Sequence, residues 1–303
     1  MNLIDILIQS FKVDYLISLI LIISILSILV IKAIPSLNIL LQYGKTLTLS
    51  STNLNSYSYI ENLSKLTVPK KWFLHFYIIY FTLCINLGFI ILLLSYSDTN
   101  TNFIKSWWKS YIFESNNSLS NSLVIYYLIF FQSIRRLYES IYITKFSSTA
   151  RINIAHYLVG MMFYITITLN TFISIIPQFL FKTNLKHIPN NYIIQFILIL
   201  IFIIASFDQF FNHYYLASLK KYTVPTNRLF KYLAAPHYFD EIIIYLIIAI
   251  LSCLNNNNFA TKLNYWLSFT FVLVNLTISS IESNNYYKRQ NVGKQWSIIP
   301  FII

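Results

Sequence analysis

Stretches of about 20 apolar residues recur along the whole chain, and that is the length an α-helix needs to cross the hydrocarbon core of a bilayer. They lie at roughly 14–35, 72–96, 119–143, 152–176, 190–212, 238–254 and 260–281. Such a pattern predicts an all-α membrane protein, a bundle of seven transmembrane helices. Composition agrees: 56% of the residues are hydrophobic and 11% charged, far from the balance of a soluble domain. The first stretch begins too late and runs too long for a signal peptide, and no A-x-A-like site follows it, so it is expected to stay as an anchor.

Lys and Arg number 22 against 10 Asp and Glu, a formal charge of +12. Their distribution points to topology rather than to nucleic acid. With the N-terminus outside, one side of the membrane receives Lys45, Lys65, Lys70, Lys71, Lys145, Arg151, Lys220, Lys221, Arg228, Lys231, Lys288, Arg289 and Lys294. The other receives Lys12, Lys105, Lys109, Lys182, Lys186 and Lys262, so the positive-inside bias places the C-terminus in the cytosol. Cys84 and Cys253 both fall in apolar stretches and read as small core residues rather than as a disulfide or metal ligands. No internal repeat or long linker is visible, and residues 1–303 are read as one polytopic domain. The polar run Gly44 to Lys71 is expected to fold over the membrane surface, Asn116 opens an N-x-S triplet in a lumenal loop, and Asn255 to Asn258 form a turn.

Polar residues inside or beside such spans are functional candidates by default. Arg135, Arg136 and Glu139 lie near the end of the third span, spaced so that Glu139 can pair with either Arg. Two guanidinium groups for one carboxylate leave a positive surplus suited to a phosphate or a developing oxyanion. Gln209 and His213, four residues apart beside Asp208, form a polar stripe that a continuing helix would extend to Lys220 and Lys221. The most concentrated run is Tyr222 to Glu241, where His237 and Glu241 are again four apart at the start of the sixth span. Helix capping by Asp240 and Glu241 is the structural alternative there, with Pro236 suited to a first turn. Metal chemistry is disfavoured: five His without H-E-x-x-H spacing cannot build a His-rich box. Four Gly and no G-x-G-x-x-G or Walker loop mean that a bound nucleotide would be held by side chains.

The run YTVPTNRLFKYLAAPHYFDEIIIYL resembles the C-terminal signature of the steroid 5α-reductase family, in its polyprenol reductase branch. Tyr43-Gly44-Lys45, VPKKWFLHFY from Val68, QSIRRLYES from Gln132, DQFFNHYYLASLK from Asp208 and the terminal IIPFII agree with it in order. The resemblance implies a seven-helix reductase of the endoplasmic reticulum membrane that takes NADPH from the cytosol, with the cofactor-binding half at about 190–303. It further implies a long-chain isoprenoid lipid as substrate, polyprenal or polyprenol reduced to dolichal or dolichol for dolichol-linked glycosylation. By position, Gln209, His213, Lys220, Lys221, Tyr222 and Tyr287 match cofactor contacts, and His237, Glu241, Arg136 and Glu139 are the expected catalytic group. Where steroid-reducing relatives carry a Gln-Glu pair, this chain has Leu66-Thr67-Val68-Pro69, and Ser133 stands where their third helix has Tyr. Tyr138, His213, His237, Tyr286 and Tyr287 are the candidate proton donors. A non-steroid lipid enone reductase or a lipid transporter are the alternatives, whereas a prenyltransferase would need paired D-D-x-x-D acids that the chain lacks.

Overall fold

The computed structural model describes residues 12–34, 37, 65–96, 105–106, 108, 119–147, 149–181, 192–220, 223–254 and 258–302. The Tyr43-Gly44-Lys45 triplet, the Asn116 triplet, Lys221 and Tyr222 lie outside these residues. Among the described residues there are seven helices of 18 residues or more: α1 Val13–Ala33, α2 Phe73–Tyr96, α3 Leu119–Tyr138, α4 Ile154–Leu180, α5 Tyr192–Ser218, α6 Pro236–Cys253 and α7 Phe259–Arg289.

Six of the seven are long and apolar enough to cross a membrane. The exception, α3, carries Asn121, Ser122, Gln132, Ser133 and Arg135 on its buried side, which lowers its mean hydropathy. Those residues face protein and hydrogen-bond there, Asn121 to the Leu251 and Leu254 carbonyls and Arg135 to Glu139 among them, and the apolar Phe131 and Ile134 face outward. Elsewhere the large hydrophobic side chains of α1, α2 and α5 stand exposed on the outer surface, as lipid-facing residues do.

Two short strands join the starts of α2 and α4. Strand β1, Thr67–Pro69, pairs antiparallel with β2, Arg151–Asn153, in the register Thr67 to Asn153, Val68 to Ile152 and Pro69 to Arg151. Arg151 locks the pair by donating to the Thr67 hydroxyl and carbonyl at 2.7 Å each. Lys65 to Lys71, the end of the predicted surface loop, is thereby a structured clamp. At the opposite end of the bundle, Asn264 donates to the Asp14 carbonyl and to Asn170 Oδ1, both at 3.1 Å, and Asn121 donates to the Leu251 and Leu254 carbonyls at 2.7 Å. Between helices in lipid such bonds average about 0.6 kcal/mol each, so they set helix register more than they add stability.

Helix α6 lies between α5 and α7, α7 also packs on α1, and α2 packs on α3 and α4. Cys84 is buried as expected. Cys253 is not a core residue: it is exposed at the last residue of α6, where its sulfur accepts from Trp266 Nε1 at 3.2 Å.

Candidate active site

All seven helices line one cavity of about 900 Å³. Its wall is drawn from the ends of α1, α3 and α5, the starts of α2, α4 and α6, and the middle of α7. These termini lie at one end of the bundle, which is also the end that carries the clamp between β1 and β2. Lys70, in the short 3-10 turn before α2, and Lys145 and Ser147, beyond the π-helical turn that follows α3, lie outside the seven long helices, and Phe163, Tyr164, Tyr245 and Phe271 line the part nearer the middle of the bundle. The cavity thus runs from a polar, basic mouth to an aromatic interior.

One wall is a continuous polar network, and it begins with the end of α3. After Tyr138 the helix widens into a π-helical turn, Glu139–Ile143, closed by Thr144 N–H and Oγ1 donating to the Glu139 carbonyl at 2.8 and 3.0 Å. Such turns recur at functional sites because they re-aim side chains within a helix. Glu139 is fully buried, its Oε1 accepting from Arg135 and its Oε2 from Arg136. His213 Nδ1 lies 2.7 Å from Glu139 Oε2 and 2.9 Å from Arg136 Nη1. Since guanidinium can only donate, a protonated Nδ1 serves Glu139 and a bare Nδ1 accepts from Arg136.

Arg135 Nη2 also donates to Gln132 Oε1 at 2.8 Å and to Gln209 Oε1. Gln209 Nε2 in turn donates to the His237 carbonyl at 2.9 Å and to Glu241 Oε2, which Gln132 Nε2 approaches from the other side at 3.5 Å. The positive surplus expected of the Arg135-Arg136 pair is therefore balanced. Glu241, reached through two amides, supplies the second carboxylate. Its carboxylate faces those amides across the helix interface, and the cap residue of α6, Ala235, has no side-chain cap, so Glu241 does not cap its own helix. Asp240 likewise turns inward, accepting from Asn212 at 2.9 Å; the same amide holds Asp208, which pairs with Arg228.

The expected site residues divide accordingly. Arg136, Gln209, His213, His237 and Glu241 line the cavity, and Glu139 stands directly behind Arg136. His213 and His237 meet there with ring centroids 5.3 Å apart. Lys220 is exposed beyond the last residue of α5, so the stripe from Gln209 and His213 does not extend to it on the helix. Tyr287 is buried near the end of α7 but is not part of the lining. Tyr138, one of the candidate donors, is half exposed on the outer face of α3 against Tyr142 and Phe210.

Three lining residues were not singled out from the sequence. Tyr77 of α2 accepts from Arg136 Nη2 at 2.5 Å, with the guanidinium carbon 4.7 Å from its ring centroid. Ser140, in the π-helical turn, is buried with its hydroxyl unpartnered among the described residues. Tyr245 of α6 lies at the aromatic end. With 24 Tyr in the chain, nothing but tertiary contact distinguishes the two phenols.

The 3-oxo-5-alpha-steroid 4-dehydrogenase family profile matches residues 150–303, the half that holds α4 to α7. Over 87% of this chain and 85% of the relative, the sequence is 35% identical to a polyprenal reductase of Saccharomyces cerevisiae. It is 26% identical to polyprenal reductase 2 of Oryza sativa subsp. japonica over 86% of each chain, and 26% identical to the polyprenal reductase of Homo sapiens over 78% of each. Sequence motifs, helical membrane architecture and these likenesses agree, and the chain belongs to the polyprenol reductase branch of the steroid 5α-reductase family, as an oxidoreductase acting on a CH-CH group.

Proposed function

We propose that this protein is an NADPH-dependent reductase of the α-isoprene double bond of a long-chain polyprenal, giving dolichal on the way to dolichol for dolichol-linked protein glycosylation. The observation that carries the reading is the convergence of Arg136, Gln209, His213, His237 and Glu241 on one wall of a cavity otherwise lined largely by apolar and aromatic side chains. The aldehyde is preferred to the alcohol on chemical grounds. Hydride adds to the β-carbon of an α,β-unsaturated carbonyl because the charge ends on oxygen, where a donor can stabilise it, and an allylic alcohol offers no such sink.

The residues present suit a nicotinamide dinucleotide. Ser140 offers a buried hydroxyl with no partner among the described residues, and Lys70 and Lys145 place positive charge at the mouth. Gln209, His213 and Ser140 are proposed to hold the cofactor, with Lys220, Lys221, Tyr222 and Tyr287 as the further cofactor contacts that the family resemblance implies. When bound, NADPH supplies the hydride. His237 and Glu241 line the same wall and are proposed to position the reacting lipid and to relay its proton, while Glu139 holds Arg136 and His213 in place. The apolar interior suits an isoprenoid chain. We place the protein in the endoplasmic reticulum membrane as one domain with seven spans, α3 included, N-terminus lumenal and cavity mouth cytosolic.

The test is purified protein in nanodiscs with NADPH and either polyprenal or polyprenol, followed by lipid mass spectrometry. A gain of two hydrogens on the aldehyde is expected. Failure with both lipids and no NADPH-dependent thermal shift would overturn the reading. Full activity after His237→Ala or Glu241→Gln would overturn the site assignment while leaving the activity in place.

A further inference from the structure

We infer that Tyr77 is the group that donates a hydrogen bond to the substrate's carbonyl oxygen, and that Arg136 equips it for that role; this rests on the reductase reading above. Tyr77 sits in the second turn of α2 and lines the cavity. Its hydroxyl oxygen accepts from Arg136 Nη2 at 2.5 Å. Arginine has no acceptor, so this bond cannot engage the phenol's own hydrogen. Among the described residues it is the hydrogen bond that Tyr77 makes, and the O–H is left to donate into the cavity.

The cation strengthens that donor in two ways. A guanidinium bonded to the phenol oxygen and 4.7 Å from the ring centroid draws electron density from the O–H. Arg136 is itself pinned by Glu139, and the Tyr77 ring packs edge-on against Tyr164 with centroids 5.6 Å apart, so the donor is oriented before any ligand arrives. Of the tyrosines expected as donors from the sequence, Tyr138 faces outward and Tyr286 and Tyr287 are not in the lining, whereas His213 and His237 share the lining with Tyr77.

The step balances as follows. A hydride from bound NADPH forms the new C–H bond at the β-carbon, the double-bond pair moves to join the α-carbon and carbonyl carbon, and the carbonyl pair moves onto oxygen. That oxygen, now negative, is held by the Tyr77 O–H. A proton from water then adds to the α-carbon, the oxygen pair re-forms the carbonyl, and saturated aldehyde and NADP⁺ are released.

Infrared spectroscopy of carbonyl-¹³C polyprenal bound to the cofactor-free protein in nanodiscs reads the bond without turnover. In the unsubstituted protein the carbonyl stretch should lie below its value in lipid alone, and Tyr77→Phe should return it to that value. In turnover the same variant should lose about 10²- to 10³-fold in kcat with KM little changed, the scale of removing one oxyanion donor. If Tyr77→Phe does not fold, 3-fluorotyrosine at position 77 keeps the hydroxyl and makes it more acidic, and the stretch should fall further. An unchanged stretch in the variant that folds overturns the inference even though the protein reduces polyprenal; absence of reduction by the unsubstituted protein overturns the functional reading instead.

Discussion

Gln209 donates through Nε2 to the carboxylate of Glu241, tying the end of α5 to the start of α6 at the cavity wall. The same amide accepts from Arg135 through Oε1 and donates to the His237 carbonyl, so one neutral side chain links a cation of α3, an anion of α6 and the backbone that carries a candidate catalytic histidine. A glutamine suits this place because it is donor and acceptor at once.

Replacing Gln209 with Leu should therefore destabilise more than its size suggests. Glu241 loses its nearest donor and Arg135 one of its acceptors, all three side chains being buried. Breaking a buried charged network typically costs about 3–5 kcal/mol. A fall in the unfolding temperature of the detergent-solubilised protein should accompany loss of activity, and Gln209→Glu, which sets a second carboxylate against Glu241, should be worse still.

Glu139→Gln tests whether the carboxylate is needed as charge or as shape. The amide keeps the volume but leaves Arg135 and Arg136 without the anion that pairs directly with both. We expect a large loss of stability, partly restored in the double variant Glu139→Gln, Arg135→Met. Double-mutant cycles on unfolding should give a coupling energy in the range of about 0.5–3 kcal/mol for contacting residues.

Gly160 of α4 lines the cavity where α2 crosses it, and a Cβ there would lie 3.0 Å from Phe76 Cε2 and Cζ. Gly160→Ala should force that ring toward the cavity at a cost of about 1–3 kcal/mol, as overpacking usually does. The expected kinetic signature is a higher KM for long-chain polyprenal, relieved when Phe76→Leu is added.

Lys294 follows α7 and is buried, with its backbone held on both sides by Asn284 through a 2.8 Å bond from its N–H and a 3.2 Å bond to its carbonyl. Burial pushes its ammonium below the usual lysine range, opposed by the neighbouring Tyr215. A lowered pKa means that the folded state gives up its proton before the unfolded chain does, so stability rises with pH up to the unfolded value of about 10.4. Lys294→Met should raise the unfolding temperature at neutral pH, and its advantage over the unsubstituted protein should shrink as pH approaches that value.

Much of the site's local logic was legible in the chain. Gln209 with His213 and His237 with Glu241, each four apart, do face the cavity together, because i and i+4 positions share a helical face whatever the helix packs against. The pairing of Glu139 with Arg135 and Arg136 follows from the same geometry. What could not be read was the return half of each contact. Glu241 is linked to Arg135, 106 positions earlier, through Gln132 and Gln209, and Tyr77 is chosen from 24 tyrosines by one guanidinium. The helical stripe does not reach Lys220 for the converse reason: such a stripe extrapolates only while the helix lasts, and α5 ends at Ser218.

The class of the molecule and the position of nearly every helix are written in the chain, because a bilayer admits long apolar segments only as internally bonded helices and the resulting signal is local and strong. The family is written there too, in short motifs that survive as strings. Helix packing settles which polar groups meet, that two carboxylates stand near two arginines, that Asp240 and Glu241 turn into the bundle instead of capping α6, and that Tyr77 rather than Tyr138 faces the cavity. Those outcomes depend on how helices far apart in sequence are rotated against one another. That rotation is set by the summed packing of whole faces and by the need to satisfy each buried charge, and no single residue's neighbours along the chain record it.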